Sequence, residues 1–591
     1  MPINVCELYC PTAYRSSPSG DGSYLVRQLL QGRTLSISAV LHRVLGICNG
    51  FRTIEGHIER VRRSLGPDSG NSIPEAIGRL RQLDLLKPCE WAIPKERKSK
   101  ARNKISSLAI ITAERPEECL RAFASYDANL QLHSRPATMI VMDDSKLPND
   151  LKNRLRKHSV PSGREVRYAG RAEKLAYIEG LSRAGIDSNI ARFAILGDIH
   201  LSICSIGANR NALLLDTIGE NVLSADDDTI CKLRGHPAPA TGCKLQCSGN
   251  PRDSWFYSNR DEIVAEDRWT DHDLLHEHGE MLGESAAAMI QGAGGQVEAD
   301  QLCSDLLYAL QAGSSMIRVT MSGVIGDSGA YCSNWVLWLD GPSRRRIGED
   351  ELLFRTALNS RETFGVVPVP TIDHSGFCAS TTMALNNTEI LPPFLPIGRN
   401  EDGMFGTLLR MTSCNSFVGH VPFAVFHSPS NVRQYVKMPD FRLSDLFLSL
   451  FARTHSSDHM TVSTLLRRIG RDLIEISILP APELSEVIAQ AVYEREAKRI
   501  AGTFSFTRSL PYQGPPFFEE EFAKYRVHLL RATTNEAFRF PVEFSAAFGG
   551  AAHQKMKELL SLTGQFFCSW PDIVDAAAQL NRAGQRMTKM L

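Results

Sequence analysis

The sequence predicts an α/β protein built around parallel strands, with a small, largely helical unit before that region and a helical region after it. Three observations carry this. Residues 105–145 run strand, helix, strand, the order of a parallel βαβ unit. The stretch Gly207–Asp228 opens as a helix, turns at Gly219 and continues as a short apolar strand ending in three consecutive carboxylates. From about Met438 onward the apolar residues fall at helical spacing. A length of 591 residues suits several domain-sized units. The predicted boundaries are 1–95, 104–435 and 436–591.

Composition narrows the class. With 43% hydrophobic and 22% charged residues, the chain is ordinary globular material. Lys plus Arg equals Asp plus Glu at 66 each, so nothing in the balance points to nucleic acid or an anionic membrane as main partner. No apolar run reaches the ~20 residues of a membrane helix. The start lacks the basic-then-apolar layout of a signal peptide. The 14 cysteines are scattered, which suits a reduced, cytoplasmic setting.

In the first unit, Leu35–Leu45 has apolar residues at helical spacing. The segment from Phe51 reads as a helix capped by Thr53, and the one from Ile73 as a helix with Ser72 as cap and Pro74 in its first turn. The basic run Pro94–Lys104 has no apolar period and reads as a linker.

The central region begins with a β-rich run, 105–112, interrupted at Pro116. A helix follows, then the strand Ala137–Asp143. Ligands of parallel sheets lie beyond the carboxyl ends of strands, which places Thr112, Arg115, Asp143 and Asp144 on the binding rim. The second unit brings Asp226, Asp227 and Asp228 to the same rim. Carboxylates so close together repel, so one stays protonated or a hard cation such as Mg²⁺ or Mn²⁺ neutralises them.

Taken together, residues 105 to 430 resemble the GT-A fold, a Rossmann-like architecture of nucleotide-sugar glycosyltransferases, and especially its large inverting superfamily. The resemblance implies a donor site formed by the Thr112–Arg115 turn, by Asp143 and Asp144 against the base, by Arg171, by Arg210 of the small-Ala-x-Arg-Asn helix start at Gly207, and by Asp227. It implies a metal held by Asp226 and Asp228, with His427 completing the shell and His420 as second choice. Glu401 and Asp402 match the motif that supplies the base, with Asp402 as base and Glu401 shaping the site. The implied activity is transfer of a sugar from a nucleotide-sugar, a UDP-sugar first among them. The long interval between Asp228 and Glu401 implies an insertion or unusual acceptor half over residues 232–390. The first unit resembles winged-helix domains, in particular the PqqD-like domains that bind leader peptides of ribosomally made natural products. A peptide Ser, Thr or Cys would then be the acceptor. A nucleotidyltransferase using the same sheet, and a binding module without turnover, are the rival readings.

Three further patterns are read as structural. His272, His276 and His278 fit a solvated amphipathic helix, the glutamate being misplaced for a His-Glu-x-x-His zinc site. Cys231, His236, Cys243 and Cys247 match no standard zinc spacing. Gly323–Gly329 reads as a turn between strand-like segments, 316–320 and 335–338.

Overall fold

The computed structural model describes residues 8–66, 72–92, 104–147, 150–197, 204–266, 268–313, 315–412, 416–436, 441–454, 460–509, 514–534 and 540–591. Most of the basic run after Pro94 lies outside the described residues.

The first unit pairs the strands Tyr14–Pro18, Ser23–Gln28 and Thr34–Ser38 as an antiparallel sheet. The helices Ala39–Ile47, Ile54–Leu65 and Ile73–Gln82 follow. Val26 and Ile37 of the sheet share one core with Val44, Leu45, Val61, Ile77 and Leu80 of the helices. Ser38 and Thr53 cap their helices, accepting from Leu41 N–H and Gly56 N–H. Ser72 sits instead in helical conformation (φ −88°, ψ −11°), so the extended geometry of a capping residue is not adopted there. The unit docks on the central body through the loop after Val297–Ala299. Phe51 N–H donates to Ala299 O (2.9 Å), and Arg52 pairs with Asp300 (2.5 Å). Gly50 is needed here, because a Cβ would sit 2.8 Å from Ala299 O.

The centre of the molecule is a mixed α/β assembly around a sheet that has 14 strands among the described residues. Its parallel run places Val166–Ala169, Thr138–Asp143, Ser107–Thr112 and Asn221–Asp226 side by side. In chain order this is third, second, first, fourth, so the switch in winding direction falls between Ser107–Thr112 and Asn221–Asp226. Thr382–Asn386 then pairs antiparallel with Asn221–Asp226, and the long strands Met316–Asp327 and Ser416–His427 extend the sheet. The far edge is the parallel trio Val297–Ala299, Cys243–Gln246 and Thr371–Asp373. The interval 232–390 therefore widens the sheet rather than standing apart from it.

Strands buried on both faces lose polar–apolar alternation, and Ser107–Thr112 is buried throughout. Ala109 and Ile111 enter one core, Leu108 and Ile110 the other. The stretch Gly323–Asp327 corrects its sequence reading, for it completes the strand Met316–Asp327. Its glycines admit close neighbours: a Cβ at Gly323 would lie 2.3 Å from Gly365 O, and one at Gly326 2.3 Å from His427 O. The segment around Trp335 is likewise no strand but the 3₁₀ turn Ser333–Trp338. His278 is not solvated. It is buried between Thr320 and Ser322, contacting their hydroxyls at 2.8 and 3.0 Å.

Helices dominate after residue 443, as the periodicity predicts. They share the core of the sheet rather than standing alone. Trp570 of the helix Ala552–Arg582 donates to Leu391 O (2.9 Å), and Phe566, Phe567 and Ile573 join Ala109 and Ile140 in one cluster. The strand Lys589–Met590 pairs with Val166–Ala169 and closes that sheet edge. Among the described residues, no helix is long and apolar enough to cross a membrane.

Candidate active site

Two strand ends meet at the switch point. Thr112 closes Ser107–Thr112, and Asp226 closes Asn221–Asp226. Asp227 and Asp228 form the turn leading into Thr229–Gly235. Its backbone is tied down by Asp226 N–H donating to Thr381 O (3.0 Å) and Ser428 N–H donating to Asp228 O (2.8 Å).

The three acids have different sets of partners, with Arg115 shared by Asp227 and Asp228. Asp226 accepts from Arg210 Nη2 (2.6 Å). Asp227 accepts from the Thr112 hydroxyl (2.8 Å) and from Arg115 Nη1 (3.2 Å). Asp228 faces His427 Nε2 through Oδ1 (3.1 Å), and through Oδ2 it takes Arg433 Nη2 (2.5 Å) and Arg115 Nη1 (3.2 Å). Burial, then the Asp228 charge, pushes the Asp227 carboxyl up to about 7. Burial also raises Asp226. Burial would raise Asp228 too, but His427 and Arg433 outweigh it and hold that carboxyl well below the usual range.

The second acid pair begins the helix Glu401–Thr412. Asn400 precedes it in the left-handed region (φ 70°), a conformation Asn tolerates better than most residues. Helix Ile206–Asp216 receives this segment closely: Ala208 N–H donates to Pro396 O (3.2 Å), and a Cβ at Gly207 would lie 1.9 Å from Leu395 O. Gly207, read in the sequence as a helix start, is thus the place where two distant segments touch. The fully buried Arg210 joins the clusters, donating through Nε to Glu401 (3.4 Å) as well as to Asp226. Burial would lower the Arg210 pKa, but Asp226, Glu401 and Asp402 raise it, so the guanidinium stays charged. Burial, then Asp402, pushes Glu401 up to about 7. Asp402 is only half-buried and accepts from Ser380 N–H (3.1 Å).

Other expected donor-site residues are drawn into the protein. Asp143 accepts from Tyr168 OH (2.8 Å) and Ser145 Oγ (2.5 Å); Asp144 accepts from Lys174 Nζ (3.1 Å) and Ser205 Oγ (2.5 Å). Both carboxylates brace the rim. Arg171 begins the helix Arg171–Arg183 beyond the neighbouring strand end. His420 lies away from the acids of the switch point, 3.5 Å from Asp373, whereas His427 meets Asp228.

Sequence reading missed Arg433, Asp327 and Ser380. Asp327 lies in the stretch whose glycines predict a turn and which instead ends the strand Met316–Asp327. Its carbonyl receives His427 Nδ1 (2.6 Å), while Arg361 Nη2 holds its carboxylate (2.7 Å). A carbonyl only accepts, so Nδ1 carries a proton; the neutral ring is then the Nδ1–H tautomer with an Nε2 lone pair toward Asp228, and the protonated ring donates Nε2–H to Asp228. Two acceptors at 3.1 Å need a proton or a cation between them. Burial lowers the imidazole pKa, but Asp228 and Asp327 override it and raise it.

This tautomer is the one a metal-binding histidine adopts when its other nitrogen donates to a carbonyl. Asp228 and His427 fit two ligands of a divalent ion. Asp226, expected as a third, is turned to Arg210 instead. Among the described residues, no three His, Cys, Asp or Glu side chains converge as a metal group. Mg²⁺-type sites commonly use one or two carboxylates, the remaining positions going to water and substrate phosphates.

No family model, curated protein or solved structure matches this chain.

Proposed function

We propose that this protein is an inverting, metal-dependent glycosyltransferase that moves a sugar from a nucleotide-sugar, a UDP-sugar first, to an acceptor hydroxyl or thiol. The observation carrying this reading is the meeting of two acid clusters, Asp226–Asp228 at the strand switch point and Glu401–Asp402 at a helix start, through Arg210, which bonds Asp226 of the first and Glu401 of the second. The strand order supports it, because a crevice at the switch point is where such sheets take nucleotides.

In this reading Asp402 accepts the acceptor's proton as the acceptor atom attacks the anomeric carbon. The bond from that carbon to the diphosphate oxygen breaks, and its electron pair leaves with the nucleoside diphosphate. Arg115 and Arg433, partly exposed at the mouth, are cations within reach of that anion. A Mg²⁺ or Mn²⁺ ion at Asp228 and His427 would add Lewis-acid neutralisation of the leaving group. Glu401 and Arg210 keep Asp402 in register.

The first unit, whose three-stranded sheet and three longer helices share one core, is read as a peptide-gripping module; on that reading the acceptor is a Ser, Thr or Cys of a ribosomally made peptide, modified in a reducing cytoplasm. The test is calorimetry of nucleoside diphosphates with and without Mn²⁺, followed by nucleotide release from a sugar-nucleotide panel. Equal, metal-independent binding by wild type and an Asp226→Ala/Asp228→Ala double variant would sink the metal's role. Retained transfer in Asp402→Asn would sink the base.

A further inference from the structure

A second constellation lies at the far edge of the sheet, independent of the switch point. Three parallel strands end there side by side, and each is followed by a reactive side chain. Cys247 follows Cys243–Gln246, His374 follows Thr371–Asp373, and Cys303 follows Val297–Ala299 and is the N-cap residue of the helix Ser304–Ala312. The strand pairing continues into this corner, with His374 N–H donating to Gln246 O (2.9 Å). Cys303 N–H donates to Cys247 Sγ (3.1 Å), and Cys303 Sγ lies 3.7 Å from His374 Nδ1. His374 is buried, and its Nε2 has no hydrogen-bond partner among the described residues. Both cysteines are half-buried.

Three features favour a thiolate at Cys303 rather than Cys247: the helix N-terminus, the imidazole, and the neighbouring thiol able to donate to it. In the same sense, the hydrogen bond from Cys247 lowers the Cys303 pKa, with His374 adding to it against burial. Hydrogen bonding to Cys303 and burial raise that of Cys247, and Asp373 adds to them.

We infer that Cys303 and Cys247 form a hydroperoxide-oxidisable dithiol, Cys303 as attacking thiolate and Cys247 as resolving thiol, oriented by His374. Cys303 sulfur attacks the peroxide, the O–O bond breaks, and hydroxide leaves to be protonated to water, giving a sulfenic acid. Cys247 sulfur then attacks that sulfur, its proton leaves with the hydroxyl as water, and the disulfide forms. The dithiol loses two electrons and the peroxide gains them. The loop so fastened, Ala299–Cys303, is the one on which the first unit docks: Leu302 N–H donates to Asn49 O (2.5 Å), beside the Phe51 and Arg52 contacts.

The test uses the reduced full-length chain. Site-resolved alkylation by iodoacetamide at pH 6 should modify Cys303 at least about tenfold faster than the half-buried Cys568. That advantage should shrink in His374→Gln. Hydrogen peroxide should give, in a non-reducing digest, a peptide joined through Cys247 and Cys303, lighter by two hydrogens. In Cys247→Ser, dimedone should trap a sulfenic acid on Cys303. Alkylation of Cys303 no faster than of Cys568, absence of the joined peptide, or a dimedone adduct on Cys247 in Cys303→Ser with none on Cys303 in Cys247→Ser would each overturn the proposal. The wild-type measurements stand even where a variant fails to fold.

Discussion

Asn211 and Phe394 exchange two hydrogen bonds across 183 residues of chain, the side-chain amide donating to Phe394 O at 2.9 Å and accepting from Phe394 N–H at 2.8 Å. One buried amide thereby ties the segment leading to Glu401 and Asp402 onto the helix that carries Arg210. Asn211→Ala removes the side-chain partner of three backbone groups, Phe394 N–H, Phe394 O and Ala194 O, at a cost of about 1–3 kcal/mol for each that stays unsatisfied. Transfer should fall more than nucleoside diphosphate affinity, since the later acids shift while Asp228 stays. Denaturation midpoints and kinetics on one preparation check both.

Asp402→Asn keeps the shape of the helix start but removes the proton acceptor. Sugar transfer should drop by about 10²–10⁴. Calorimetric binding of the nucleoside diphosphate should be unchanged. An equal loss of binding would place Asp402 in donor recognition instead.

Arg210→Met removes the cation bonded to both Asp226 and Glu401 and leaves the half-buried Asp226 and the buried Glu401 without it. The expected destabilisation is about 3–5 kcal/mol, the usual result of deleting one partner of a buried ion pair. Urea unfolding near neutral pH measures it. The loss should lessen as pH falls, because burial raises both carboxyls and favours their neutral forms.

Asp227 gives the protein a characteristic pH response. Its carboxyl titrates at about 7 when folded and near 3.9 when unfolded, so between those values the folded state holds the extra proton. Stability from this group is therefore complete below about pH 4 and declines as pH rises toward 7, at up to about 1.4 kcal/mol per pH unit. Asp227→Asn should flatten that decline in unfolding experiments from pH 5 to 7.5.

His427→Gln should abolish the Mn²⁺ enhancement of nucleoside diphosphate binding while sparing metal-free binding. It removes the ring nitrogen that meets Asp228 and leaves Arg115 and Arg433 in place. Titration of the diphosphate at fixed Mn²⁺ reads this directly. Enhancement of wild-type size in the variant would move the ion elsewhere.

Much of the scaffold was legible in the chain. Periodicity gave the strand–helix–strand start, the apolar strand ending in Asp226, the helical stretch after residue 443 and the Thr53 cap, because each depends on residues within a turn or a strand of one another. Gly323 and Gly326 misled, since glycine marks a turn in sequence but marks a close strand neighbour here, and only Gly365 and His427 reveal which. Arg433 left no signal, being one arginine in an irregular loop.

By itself the sequence determined where carboxylates gather at strand and helix ends, since local hydrophobic pattern and turn chemistry decide that. Only the tertiary structure decided what each carboxylate faces: Asp226 turned to Arg210, Asp228 to His427, Asp143 and Asp144 drawn inward to Tyr168 and Lys174. Those choices rest on pairing buried charges across long stretches of chain, and no spacing along the sequence encodes which partner burial will bring.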